Sequence, residues 1–214
     1  MDEILRNLRK AILNYDAEKA KNWSRKAIKN GIDPIEASDV LTETIREIGD
    51  SFGQGELWLP DLVGAASAVQ AAMPILEEQI KKSGKSRQSF GKVLIGTVRG
   101  DMHSIGKDMV ATLLIAGGFE VMNLGVDITA DNFLTAIKQY NPDMLAMSSL
   151  LTTTAPEQSK VISMLKQENL RNKIKIIIGG GAITQSFASE IGADGYGAAA
   201  TDAVELAKKL LVKE

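Results

Sequence analysis

Residues Gly100-Asp101-Met102-His103-Ser104-Ile105-Gly106-Lys107 contain the only histidine of the chain. Imidazole is the side chain best suited to binding a metal near neutral pH. Asp101, two residues earlier, can accept a hydrogen bond from one ring nitrogen. That contact fixes the tautomer and leaves the other nitrogen free for a metal. Gly106 allows a close turn into a following helix. A loop histidine on its own is most often solvated, and it is the neighbours that single this one out. A mononuclear zinc site needs three or four protein ligands. One histidine and no cysteine suit instead a metal already held by a macrocycle.

Two further segments have similar potential. In Met147-Ser148-Ser149-Leu150-Leu151-Thr152-Thr153-Thr154, the hydroxyls of Ser148, Thr152 and Thr154 could line a polar slot, with Leu150 as an apolar contact. The plainer alternative is a hydroxyl-rich strand end that caps a helix beginning at Pro156. Gly179-Gly180-Gly181-Ala182 lacks side chains where a ligand could approach the backbone. Its plainer alternative is a tight turn.

The elements that must position these loops follow from periodicity. Residues 1–80 read as helices only. Ile4, Leu5, Leu8, Ile12 and Tyr15 recur at helical spacing. Asp16 caps a second helix, with Ala20, Trp23, Ala27 and Ile28 on one side. Asn30-Gly31 stops it, and Asp33-Pro34 starts a third, whose stripe is Val40, Leu41, Ile45, Ile48 and Phe52. Leu59-Pro60-Asp61 opens a fourth, in which Pro74 predicts a kink or break near residues 70–74. Trp58 and Met73, at helical spacing, read as core. Residues 81–90 have the polar look of a linker.

From Lys92 the rhythm alternates between strand and helix. Strands are predicted near residues 93–98, 119–123, 144–148, 174–178 and 193–196. Helices are predicted near 105–116, 130–140, 156–168, 183–191 and 202–212. The fold class is therefore α/β: an N-terminal four-helix bundle over 1–84, then a flavodoxin-like, Rossmann-type domain over 91–214 with a five-stranded parallel sheet in the order 2-1-3-4-5. Ligands of such sheets sit beyond the carboxyl ends of the strands, where the three loops fall.

Composition sets outer limits. The chain has 214 residues, a net charge of −2 and 5% aromatic residues, so its core must be aliphatic. Residues 1–80 carry a net charge of −5, the short stretch 81–92 carries +5, and the remainder −2. Neither large part has the basic footprint of a nucleic-acid binder. No apolar run reaches the ~20 residues that span a bilayer, and the charged start lacks the apolar stretch of a signal peptide. A cytoplasmic protein without nucleic-acid or membrane partners is expected.

Asp101-x-His103-x-x-Gly106, then Ser148-x-Leu150, then Gly180-Gly181, each after a predicted strand, resemble the cobalamin-binding family. That family includes methionine synthase, corrinoid-dependent mutases and the small corrinoid proteins of methyltransferase systems. The helical first half, and the stretch from Gly55 to Leu62, resemble the last group. The resemblance implies a cobalamin or related corrinoid bound base-off/His-on, with His103 as the metal ligand, and methylcobalamin as the loaded state. Its nucleotide tail would enter a slot formed by Ser104, Ile105, Gly106, Ser148, Leu150, Thr152, Gly180 and Gly181. Asp101 would orient His103, and Thr154 would extend the relay, so that Asp101, His103 and Thr154 form the reactive set. The bundle would act as a cap, to which Trp58 and Met73 could also contribute.

The implied role is that of a non-catalytic carrier. A substrate-specific methyltransferase would load a methyl group onto Co(I). A second methyltransferase would pass it to a thiol or folate-type acceptor, and a reductive activase would restore the cofactor. A mutase subunit and a corrinoid-based regulator or sensor remain as alternatives.

Overall fold

A computed structural model describes residues 2–84 and 89–211. The chain divides into two compact units, Met1–Gln88 with Ile115–Gly118, and Ser89–Leu114 with Phe119–Glu214.

The helical unit contains α1 (Glu3–Leu13), α2 (Ala17–Lys29), α3 (Pro34–Gly53) and α4 (Leu59–Lys82). The predicted starts are real caps. Asp16 accepts from the Lys19 amide at 2.9 Å and Asp33 from the Ile35 amide at 3.0 Å, with Pro34 in the first turn. Each contact satisfies an amide that the helix itself cannot. Leu5, Leu8, Ile12, Leu41, Ile45, Leu62 and Leu76 are fully or almost fully buried and form the bundle core.

Three expectations need correction. Pro74 does not break α4, which runs without interruption to Lys82. A proline removes one amide donor, and packing against three neighbouring helices holds the turns on either side. Trp58 is not core: it is 77% exposed at the start of α4. By length and composition alone α4 could cross a membrane, an 18-residue stretch of it reaching a mean hydropathy of 1.3. Its apolar residues Leu62, Ala65, Val69, Ala72, Leu76 and Ile80 are buried, as in the central helix of a bundle. The expected linker at 81–90 begins later than predicted, because Lys81 and Lys82 end α4, and its positions 85–88 lie outside the described residues.

The second unit holds β1 (Lys92–Thr97), α5 (Ile105–Ala116) as far as Leu114, β2 (Glu120–Asn123), α6 (Ala130–Tyr140), β3 (Met144–Ser148), α7 (Ala155–Gln167), β4 (Lys175–Gly179), α8 (Gln185–Ile191), β5 (Gly195–Gly197) and α9 (Ala200–Leu211). A 3-10 turn at Arg171–Lys173 precedes β4. All strand pairs are parallel, in the order β2-β1-β3-β4-β5.

Side chains alternate across a strand, so each row of the sheet faces one way. The row Leu94, Leu145 and Ile176 is in register and fully buried, in a core shared with Phe133 and Ile137 of α6, Val161, Ile162 and Leu165 of α7, and Ala188 of α8. The adjacent row Ile95, Ala146 and Ile177 faces the other way. Phe133 is the largest fully buried side chain, and its ring lies where a Cβ on Gly96 would come within 2.9 Å. Replacing Phe133 with alanine should lower stability by ~3–5 kcal/mol, read by denaturant unfolding followed by circular dichroism. Gly96→Ala should destabilise the same unit through overpacking.

Candidate functional site

The loop between β1 and α5 is clamped from several sides. Gly100 takes a φ of +78°, accessible at little cost to glycine, and its amide donates to Asp127 Oδ1 at 2.7 Å. The Asp127 amide donates to the Asp101 carbonyl at 3.1 Å. At the end of β1, the buried Thr97 hydroxyl donates to the His103 carbonyl at 2.9 Å. The β2–α6 connection and the tip of β1 thus fix the backbone on either side of Asp101.

Asp101 is completely buried. Its Oδ1 accepts from the His103 amide at 3.0 Å and from His103 Nδ1 at 2.8 Å. Its Oδ2 accepts from the Leu150 amide at 2.7 Å and the Thr154 hydroxyl at 3.0 Å. Burial alone would raise the carboxyl pKa. The backbone amides of His103 and Leu150, the His103 ring and the Thr154 hydroxyl outweigh it and bring the pKa down to about 2. A carboxylate in that state only accepts, so the hydrogen bond places a proton on His103 Nδ1, and in the neutral ring this leaves the Nε2 lone pair for a ligand. The His103 side chain is 54% exposed, which makes it available to a ligand.

His103 stands at the mouth of a cavity of about 800 Å³. The row Ile95, Ala146 and Ile177 lines one side, Met109 and Val110 of α5 another, and Ala200 and Ala203 of α9 a third. The same sheet is therefore solid on its α6–α8 face and hollow on its α5/α9 face. Ser104, Ile105, Gly106, Ser148, Leu150, Gly180 and Gly181 also line the cavity. Thr152 is exposed and does not. Asp101 and Thr154 lie behind it, buried. Gly180 has a φ of +117°, and a Cβ there would lie 2.0 Å from the Ser149 carbonyl oxygen. Gly106 differs: a Cβ there would meet nothing within 4 Å. The chain's own packing gives no reason for a glycine at 106, whereas a ligand pressed against the start of α5 would.

Several contributors were not singled out by sequence reading. Thr97 and Asp127 carry no local signal. Gln158 does, as a polar residue in the buried stripe of α7 with Ala155, Val161, Ile162 and Leu165. Its Nε2 donates to the carbonyls of Met147 at 3.1 Å and Gly179 at 3.4 Å, tying the carboxyl ends of β3 and β4 together. Lys107, 3% exposed, pairs with Asp108 and donates to Asn123 Oδ1 at 2.7 Å. That network fastens the first turn of α5 to β2. Gly197 through Ala200, between β5 and α9, complete the cavity wall.

A family profile described as "B12 binding domain" matches residues 91–205, and a second of the same description matches residues 4–77. The chain belongs to the B12-binding corrinoid proteins. It is 39% identical to a trimethylamine corrinoid protein of Methanosarcina barkeri, covering 98% of this chain and 97% of that one. It is also 39% identical to a dimethylamine corrinoid protein of the same organism, covering 98% of each. Among solved structures, the methanol:cobalamin methyltransferase complex MtaBC from Methanosarcina barkeri superposes on 100% of this chain and 81% of its own, with a TM-score of 0.83 and 31% identity.

The residues present fit a corrinoid. The chain has one histidine and no cysteine, and among the described residues no cluster of three or more potential ligands could hold a bare metal ion. A single imidazole with one nitrogen tied and the other free suits a metal whose remaining positions a macrocycle fills. The open space at Gly106 and the hollow face of the sheet supply room for an appended chain.

The Asp101 carboxylate makes the apoprotein acid-sensitive in a defined direction. Its folded pKa of about 2 lies below the ordinary value. The unfolded chain therefore takes up the proton first as pH falls. The stabilisation is complete above the ordinary carboxylate range and is lost as pH falls toward 2, an effect of about 2 kcal/mol. The stability gap between wild type and Asp101→Asn should narrow by roughly that amount between pH 5 and pH 2, measured by urea unfolding.

Proposed function

We propose that this corrinoid protein is a methyl carrier, receiving a methyl group from a substrate-specific methyltransferase and surrendering it to a second one that serves a thiol or folate-type acceptor. The observation that carries the reading is the Asp101–His103 pair. One ring nitrogen is anchored to a buried, fully hydrogen-bonded carboxylate, and the other is free at the mouth of a cavity on the hollow sheet face. The relatives matched nearly end to end carry names of methylamine corrinoid proteins, which favours carriage over mutase or regulatory roles.

The bound corrinoid supplies the metal that takes up and releases the methyl group. The chain's residues hold and tune it. His103 Nε2 would hold the metal in place of the corrinoid's own base, the base-off/His-on arrangement that the resemblance implies. Asp101 fixes the ring tautomer, and Thr154 holds one carboxylate oxygen. Gly106, Gly180 and Gly181, with Ser104, Ile105, Ser148 and Leu150, line the cavity that would take the nucleotide tail. Thr152 lies outside this slot and has no assigned contact. Residues 91–214 form the corrinoid-binding domain and residues 1–84 a cap, and the protein works in the cytoplasm with a reductive activase as a further partner. The similar identity to trimethylamine and dimethylamine relatives leaves the methyl donor to be found by experiment.

His103→Ala should still fold and bind corrinoid but lose the imidazole nitrogen coupling in the Co(II) magnetic resonance spectrum. Nitrogen coupling that persists in this variant would show that His103 is not the ligand. The corrinoid-bound wild type, reduced to Co(I), should demethylate methylamines, methanol or betaines only after a matching methyltransferase is added, with one turnover per cobalt. Rapid loss of the Co(I) absorbance with a donor and no partner would instead place a substrate site on this chain.

A further inference from the structure

Asp101 has about four lone-pair sites in its two carboxylate oxygens, and four donors reach them. The Thr154 hydroxyl is the only one of the four that can turn away. It has a single proton and a second acceptor within reach, the Leu151 carbonyl at 3.1 Å against 3.0 Å for Asp101 Oδ2. Ser149, fully buried, sits on its other side with Oγ at 2.8 Å from Thr154 Oγ1. The competing carbonyl of Leu151 already accepts the amides of Thr154 at 3.1 Å and Ala155 at 3.0 Å, which uses its two lone pairs. A charged acceptor outbids a neutral, occupied one. The Ser149 hydroxyl also has that carbonyl within reach, but at 3.3 Å against 2.8 Å for Thr154 Oγ1, so with the Thr154 proton on Asp101 the shorter chain of donation runs from Ser149 to Thr154 and from Thr154 to Asp101.

We propose that Ser149 is a positioning residue that acts on His103 through Thr154. By donating to Thr154 Oγ1 it commits the threonine proton to Asp101 and, through the polarisation of linked hydrogen bonds, strengthens that bond. A carboxylate oxygen so occupied pulls less on the opposite donor, the His103 Nδ1–H. Ser149 thereby moderates the push of the carboxylate on the imidazole. Its relevance to cobalt rests on the carrier reading above, whereas its geometry does not.

The test begins with the apoprotein, by nitrogen-15 NMR of the His103 ring at fixed pH. Ser149→Ala should shift the Nδ1–H resonance downfield, in the same sense as Thr154→Ala and by less. Ser149→Cys, a weaker donor of nearly the same shape, should fall between wild type and Ser149→Ala, and it serves if the alanine variant does not fold. In a Thr154→Ala background, Ser149→Ala should add no further shift. Equal shifts in both backgrounds would mean that Ser149 acts by packing and overturn the proposal, as would an unmoved Nδ1–H in a folded Ser149→Ala protein. In corrinoid-bound protein, Ser149→Ala should make the Co(II)/Co(I) potential more negative. If His103 does not bind cobalt, this last shift vanishes while the apoprotein shifts remain, so the two failures can be told apart.

Discussion

The site depends on keeping one carboxylate charged where water cannot reach it. Asp101 is fully buried, and an unpaired carboxylate there would cost several kcal/mol or take up a proton. A neutral carboxyl would present its own O–H and lose its role as a pure acceptor, and the His103 tautomer would no longer be fixed. Four donors prevent this, and each comes from a different constraint on the fold. The His103 amide depends on the loop bend at Gly100, and the His103 ring on that same loop being pinned by Thr97 and Asp127. The Leu150 amide depends on β1 and β3 being neighbours in register, and the Thr154 hydroxyl on where α7 begins.

The two faces of the sheet are built for different ends. On one, Leu94, Leu145 and Ile176 pack with Phe133 and the aliphatic side chains of α6, α7 and α8 into a dry core. On the other, the small residues Ala146, Ala200 and Ala203 leave room between sheet and helices. The packed face supplies the stability that permits the second to stay open, and Gln158 secures the strand ends from the packed side. A site held on rigid strand ends is placed more accurately than one held on a free loop, which matters when a single imidazole stands at a cavity. The helix-start network of Lys107, Asp108 and Asn123 does the same for the opposite wall.

Much was legible in the chain alone. Helices and strands were apparent because their periods, 3.6 and 2, arise from interactions within a few residues. Asp16, Asp33 and Asn30-Gly31 marked helix ends for the same local reason. The strand order was read from the flavodoxin-like pattern that five alternating strands and helices suggest. The histidine and its aspartate were evident because they are two residues apart. The exposure of Trp58, the unbroken course of α4 past Pro74 and the position of Thr152 outside the cavity were not. Each depends on what packs beside the residue, and a spacing rule does not contain that.

The sequence by itself determined the elements, their order along the chain and the candidate pair, Asp101 and His103. Only the tertiary structure decided the state of that pair. Leu150 and Thr154 lie 49 and 53 residues beyond Asp101, and Ser149 reaches the aspartate only through Thr154. Their arrival at one carboxylate is set by strand register and by the burial that excludes water as a competing partner. Hydrogen-bond saturation is a sum over neighbours in space, so it comes into being only when the sheet closes around it.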